Sequence, residues 1–284
     1  MSPVAKLLAL GLASACLMAP AFGQRQLGRR TTPTAKFFVA EVKGESQITS
    51  GERVHEGRQA SAYDAPGTVI ETKADSHSAV VYSNGTGMFV DSDTRVEIER
   101  FSQEPFVPSQ YTPDAEPSIT QSNIFVSRGF VGVCTGQLVS GSTMSYSTAH
   151  AAVNVRGRKI GIRTSPEETV IYLLEGDVTV RSDARDFNGH VLRPGEQAVV
   201  RPGAAGQPAS VTISPIPSDV MASLDERVTV ACNARRTVSF ETIDRAADGG
   251  GEGDGESQEI VARPTVEAEV PTNLVVSPDR LPGT

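Results

Sequence analysis

The sequence predicts an all-β protein with one helix towards its C-terminal end. Short runs in which apolar and polar residues alternate, such as "GTVIET" and "RVEIERF", are typical of half-buried strands. Turn residues separate these runs about every 8 to 12 positions, as expected for successive short strands. The 284 residues include no tryptophan and only 5% aromatic residues, so the core is built mainly from Val, Ile, Leu and Ala. That composition suits many small strands.

The first segment, residues 1–23, is typical of a secretory signal peptide. Lys6 provides a positive start, and an apolar run from Leu7 to about Met18 is followed by small residues. The run is short for a transmembrane span, and no later segment is apolar enough for one. We therefore expect an exported protein, periplasmic or extracellular, whose mature chain has no transmembrane span.

A second interpretation of the leader places a lipid anchor at Cys16. The stretch "LASAC" has the outline of a lipoprotein box, in which the cysteine is acylated after cleavage. Such boxes usually have a branched apolar residue three places before the cysteine, where this chain has Ala13. The sequence leaves both a soluble and a lipid-tethered protein open.

The rest of the chain divides by composition. Residues 24–36 form a short basic arm, which we expect to be flexible, and residues 37–214 carry the alternating strand patterns. A loop at residues 102–122 with four prolines interrupts them. Residues 246–284 are rich in glycine and acidic residues, which cannot form a core, so a disordered tail is predicted.

One helix is predicted within residues 215–245. Ser218 stands as its N-cap, Asp219 lies in the first turn, and Arg235 and Arg236 lie at its end. These residue types match the partial charges of the two helix ends.

Net charge excludes one class of partner. The formal charge is −8 at pH 7, and the isoelectric point is about 5.1. No basic field is available to hold a polyanion, so we expect no nucleic-acid partner.

The glycines beside polar residues are interpreted as structural turns. Asn84 and Gly85 in "SNGTG" are followed by the strand pattern "MFVDS". A phosphate loop would lead into a helix and carry a lysine, whereas Asn-Gly is a strong hairpin signal. Gly157, Gly176 and Gly195 are assigned to turns in the same way.

No catalytic, cofactor or metal site is predicted. The carboxylates beside Gly176 in "LLEGDVTV" are interpreted as a solvated turn, because no third group accompanies them. The alternative is an enzyme acting on envelope polysaccharide, with the candidate carboxylates Glu167, Glu168, Glu175 and Asp177. Activity lost on alanine substitution at these positions would support it.

Cys134 and Cys232 remain once the leader is removed. In an oxidising compartment the two could pair, which in the chain-entropy model stabilises by up to about 4 to 5 kcal/mol. Otherwise they are two buried small apolar residues. The sequence leaves both interpretations open.

Four patterns in order resemble the FecR-domain family. They are "YSNGTGMFVDSDTRVEI", "VNVRGRKIGIR", "VIYLLEGDVTV" and "HVLRPGEQAVV", spread over roughly residues 38–203. Asn84 stands where the family often has Asp, and Arg158 and Ile160 replace its usual Thr and Phe. The family is the periplasmic domain of bacterial regulators that relay outer-membrane signals to sigma factors. The resemblance implies a FecR-type domain with a twisted β fold, solenoid-like or sandwich-like.

The resemblance also sets an expectation for function. Family members that regulate sigma factors carry a cytoplasmic helical segment and a transmembrane helix before this domain, where this chain has a leader. We therefore expect a stand-alone exported module without direct sigma-factor contact, which presents one face of an extended β surface to an envelope protein or cell-wall glycan. Its mechanism could be strand addition at an uncovered end of the sheet, or avidity through the tail. A structural matrix protein is a further alternative. Neither the partner nor the signal is identified by the sequence.

Overall fold

The computed structural model describes part of the chain, residues 35–112, 114–182, 186, 188–204, 207–245 and 257–265. The predicted leader 1–23 with Cys16 lies outside the described residues, as does the arm 24–36 except for its last two residues. Within the described ranges no helix is long and apolar enough to cross a membrane.

Most described residues lie in strands, which confirms the predicted all-β class. In chain order the strands are β1 Lys36–Lys43, β2 Ser46–Ser50, β3 Arg53–Glu56, β4 Ser61–Asp64, β5 Thr68–Thr72, β6 His77–Tyr82, β7 Gly87–Val90, β8 Arg95–Gln103, β9 Thr120–Cys134, β10 Thr143–Ser147, β11 Ala152–Val155, β12 Lys159–Thr164, β13 Thr169–Glu175, β14 Val178–Arg181, β15 His190–Leu192, β16 Glu196–Arg201 and β17 Ser210–Pro215. The helix α1 Ser218–Ala234 and the strands β18 Val238–Arg245 and β19 Ser257–Pro264 follow.

The strands β1 to β17 form two layers that share one long strand. The first layer runs in the order β3-β2-β5-β8-β9-β10-β11-β14-β15. The second runs in the order β4-β1-β6-β7-β9-β12-β13-β16-β17. All these pairings are antiparallel except that of β9 with β10.

Gly129 marks the point at which β9 passes from the first layer to the second. Its φ is +92°, a backbone conformation that favours glycine. A Cβ atom here would lie 2.6 Å from the Cα atom of Thr94. The bend in β9 therefore depends on a residue without a side chain.

The main core lies between the two layers. Ile70 and Ile98 enter it from the first layer, and Val80 and Met88 enter it from the second, all fully buried. The strand β5 shows the predicted alternation, because its first, third and fifth residues are buried. The period-two pattern thus indicates which face of the strand is turned to this core.

The outer face of the second layer is also covered. Leu224 and Val228 of α1 pack with Phe89 and Phe130 of the second layer. The pair β18–β19 packs beside the helix on the same face, where Ile260 is fully buried. The second layer is therefore buried on both faces.

Glycines in three neighbouring strands let the helix lie close to the sheet. A Cβ atom on Gly87 would lie 2.0 Å from the carbonyl oxygen of Ala231, and one on Gly161 would lie 2.5 Å from Leu224 Cδ1. Between them, Gly132 pairs with Gly161 and faces the helix at Val228. We call Gly87, Gly132 and Gly161 the glycine groove.

The structure corrects the predicted helix start. Pro217 is the N-cap residue, Ser218 is the first helical residue, and no side chain caps the helix. The carbonyl oxygen of Pro217 accepts from Val220 N and Met221 N, both at 3.1 Å. Ser218 is therefore one position too late to cap.

Two predicted segment bounds are also corrected. The disordered tail predicted for 246–284 is wrong for residues 257–264, because these form β19 and bury an apolar side chain. The proline-rich loop is shorter than 102–122, because β8 continues to Gln103 and β9 begins at Thr120. The other residues of the tail lie outside the described part of the chain, apart from Thr265.

Candidate interaction surface

The Asn84-Gly85 turn joins β6 to β7, and it is buried. Asn84 is 2% exposed, and its Oδ1 accepts from Thr86 N at 3.1 Å. Gly85 has a φ of +81°. Its carbonyl oxygen accepts from Arg235 Nε, 2.5 Å away at the end of the helix. The turn is therefore a buried structural element that contacts the end of the helix.

A buried carboxylate connects the proline-rich loop to this turn by hydrogen bonds. Glu116 is 4% exposed, and its Oε1 accepts from Asn84 Nδ2 at 3.1 Å and from the Thr120 hydroxyl. Its Oε2 accepts from Val139 N at 3.1 Å. Sequence reasoning did not single out Glu116, and it placed Arg235 only at the end of the predicted helix, since neither residue stands in a motif that indicates this contact.

The other predicted turn glycines lie at strand connections. Gly176 has a φ of +98° and Gly195 one of +88°. Gly157 and Gly176 lie back to back, because a Cβ atom on Gly176 would be 2.3 Å from the Gly157 Cα atom. These glycines therefore act as structural turns.

The carboxylates proposed for an enzyme fall into two groups at opposite ends of β13, Glu167 and Glu168 before it and Glu175 and Asp177 at and after its end. Glu168 pairs with Arg201 (2.7 Å) before β13, and Glu175 lies near Arg158 (3.6 Å) at its end. The extended strand between them separates the two by roughly 20 Å. Glycosidase carboxylates lie about 5 to 10 Å apart. The arrangement does not place Glu168 and Glu175 across one bond.

Cys134 and Cys232 form a disulfide between β9 and the helix. The bond closes a sequence separation of 98 residues. Cys134 is buried, and Arg235 Nη1 lies 3.6 Å from its sulfur. The disulfide therefore holds α1 on the second layer beside the buried turn.

The sheet edge at β17 offers unused main-chain groups. Val211 and Ile213 lie opposite Val200 and Ala198 of β16, the strand paired with β17 among the described residues. The hydrogen bond from Ile216 N to Gly195 O (2.8 Å) fixes which residues of β17 bond to β16. Because the direction alternates along an antiparallel ladder, the N–H and C=O groups of Val211 and Ile213 point away from β16.

This edge has little of the usual protection against a further strand, because it carries no charge and its one proline, Pro215, stands at its last position. The strand β17 has six residues without a charge, and Ile213 is 40% exposed. At the same end of the sandwich, Val191 of β15 is 65% exposed. Edge strands are normally protected by charges, by bulges or by shortness. The β17 edge is therefore the surface best suited to accept a strand.

The other edges of the two layers are protected. The strand β3 carries Arg53, His55 and Glu56, β4 ends in Asp64, and β15 has only three residues. A cleft of about 720 Å³ lies between β3 and β4, lined by residues of both signs of charge such as Lys36 and Glu52. These edges carry the charges that discourage pairing.

Comparison with known proteins gives a family and a set of distant structures. Residues 68–179 match the model of the family described as "FecR protein". Two crystal structures described as "a putative anti-sigma factor" from Parabacteroides distasonis are similar, with 16% and 19% identity and TM-scores of 0.40 and 0.39. Each alignment covers 55% of this chain and 62% or 64% of the other, so the chain spans less than two thirds of either. No curated protein matches.

Proposed function

We propose that this protein, whose residues 68–179 match the FecR family model as its sequence patterns predicted, is an exported, non-enzymatic binding module of the bacterial cell envelope. It acts in envelope signalling as a scaffold, without direct contact to a sigma factor. The signal peptide that the sequence predicts for residues 1–23 supports the exported location.

The observation that carries the proposal is the β17 edge. Its two unused N–H groups and two unused C=O groups alternate with the pleat, so they match the main chain of another extended strand. Six residues span about 20 Å, enough for a short peptide to add to the sheet. Strand addition is therefore the binding mode that this edge supports.

The occupant we propose is an uncharged, partly apolar extended segment of an envelope protein. Main-chain hydrogen bonds give such a segment its affinity, and alternate side chains give its specificity. The exposed side chains of Ile213 and Val191 would cover apolar positions of the incoming strand. A glycan has no main-chain ladder to match Val211 and Ile213.

The test is a cross-linking pull-down from the envelope, with the tagged protein expressed with its own leader. Ile213→Pro removes an outward N–H group without breaking the ladder to β16. The matched control is Val54→Pro on β3, whose N–H group also points outward, because Gly57 N donates to Ser46 O and fixes that ladder. Partners are identified by mass spectrometry and bound glycan by sugar analysis.

We expect one enriched envelope protein, lost with Ile213→Pro and retained with Val54→Pro. Equal recovery by both variants, or recovery of glycan alone, would contradict strand addition. Light scattering of the purified protein tests a second copy as the occupant. A dimer that Ile213→Pro converts to a monomer would overturn the proposed partner.

A further inference from the structure

A basic cleft lies on the side of the molecule that carries the disulfide. Two cavities of about 480 Å³ and 230 Å³ share Arg158 in their walls. The loop at residues 137–142 forms one wall, and the end of the helix forms another. The charged side chains that line it are Arg156, Arg158, Lys159, Arg235, Arg236, Asp114 and Glu175.

Positive charge exceeds negative charge in the basic cleft, although the whole chain has a formal charge of −8. The ion pairs inside it are long. Arg158 Nη2 lies 3.9 Å from Asp114 Oδ1, and Lys159 Nζ lies 3.9 Å from Glu175 Oε2. At such distances the carboxylates only partly neutralise the cations.

Two of these cations have no charged neighbour within ion-pair distance. Arg156 and Arg236 are exposed, and no side chain of the described residues pairs with either guanidinium. Both are held by their main chains, because Arg156 N donates to Asp177 O and Arg236 N donates to Asn233 O, each at 3.0 Å. The cleft therefore presents unpaired guanidinium groups on fixed backbone positions.

We propose that the basic cleft binds an acidic polypeptide segment, with Arg156 and Arg236 holding its carboxylates. A guanidinium suits a carboxylate because it donates two parallel hydrogen bonds. No aromatic side chain lines either cavity, so a sugar ring would find no stacking surface. This site is separate from the β17 edge.

The probe is fluorescein-labelled hexaglutamate, titrated with the full chain and followed by fluorescence anisotropy. Hexaglutamine is the neutral control peptide. The variant Arg156→Glu/Arg236→Glu reverses the two unpaired charges. Arg53→Glu, on the exposed edge strand β3, is the control for a change of charge outside the cleft. Thermal unfolding midpoints establish that all variants are folded.

We expect the double variant to bind hexaglutamate about tenfold more weakly or worse, since it loses two charge-assisted contacts. Arg53→Glu should stay near the unmodified affinity, and hexaglutamine should not bind. Binding should weaken as salt is raised, because the contacts are electrostatic. Equal affinity in the double variant, or equal weakening by Arg53→Glu, would overturn the proposal. Binding of hexaglutamine at the strength of hexaglutamate would also do so.

Discussion

Arg235 donates its Nε proton to the carbonyl oxygen of Gly85 at 2.5 Å, across 150 positions of sequence. The contact joins the end of the helix α1 to the turn between β6 and β7 of the second layer. Burial, the largest influence, lowers the pKa of the Arg235 guanidinium below its ordinary value, and the charge of Tyr111 opposes this shift. The helix and the Asn84-Gly85 hairpin are therefore one structural unit.

Removal of this contact should destabilise the fold. Arg235→Ala leaves the Gly85 carbonyl without its charged donor in a buried position, so we expect the free energy of unfolding to fall by about 2 to 3 kcal/mol. Arg236→Ala changes an exposed neighbour and should alter it by less than about 0.5 kcal/mol. Urea denaturation measures both. Equal losses in the two variants would show that the contact to Gly85 is not the cause.

The disulfide should stabilise the fold in addition to the contact between Arg235 and Gly85. Replacement of Cys134 and Cys232 together by Ser removes a bond across 98 residues, and we expect a loss of about 2 to 4 kcal/mol. A reducing agent should lower the denaturation midpoint of the unmodified protein and leave that of the double variant unchanged. A midpoint indifferent to the reducing agent in both proteins would contradict a stabilising role.

The glycine groove predicts a ranking of substitutions. Gly87→Ala directs a methyl group at the carbonyl oxygen of Ala231, which is backbone, so the helix must shift and we expect a loss of about 2 to 3 kcal/mol. Gly132→Ala meets the end of the Val228 side chain at 3.3 Å, which can move. Its cost should be about 1 kcal/mol or less. Chemical denaturation of the two variants checks the order, and a larger loss for Gly132→Ala would contradict the close approach at Gly87.

The local alternation of apolar and polar residues predicted the strands of which only one face is buried. The strand β5 alternates, and its alternation was visible in "TVIET". The strand β6 does not, because the helix covers the face opposite the core and every residue after His77 is buried. A short run of that kind indicates a strand but not what covers it.

The contacts between segments that are distant in sequence could not be predicted from the local residue pattern. Residues 257–264 follow a glycine-rich acidic stretch, and only pairing with β18 and burial of Ile260 make them a strand. Likewise Glu116 and Arg235 bond to the Asn84-Gly85 turn from distant segments. Propensity and periodicity report on neighbours in sequence, so they identified this turn but not its partners.

Glu71 links three strands of the first layer and predicts how stability depends on pH. Its carboxylate lies 3.0 Å from Arg95 Nη1 and also bonds to Arg128. Burial raises the pKa of Glu71, but the hydrogen bonds from Arg128 and Arg95 outweigh burial and hold that pKa below its ordinary value. A carboxyl whose pKa is lowered by folding stabilises the fold above its unfolded pKa, and this contribution disappears as the pH falls through the folded pKa.

Glu71→Gln should therefore lower the free energy of unfolding at pH 7, by less than about 1 kcal/mol because the group is partly exposed. The difference from the unmodified protein should vanish as the pH falls below the ordinary range of a glutamate. The control is Glu97→Gln, because Glu97 lies on the neighbouring strand β8 and takes no part in the ion pairs of Glu71 with Arg95 and Arg128. Urea denaturation from pH 7 to pH 3 measures all three proteins, and a difference for Glu71→Gln that persists or grows on acidification would contradict the ion pairs as its source.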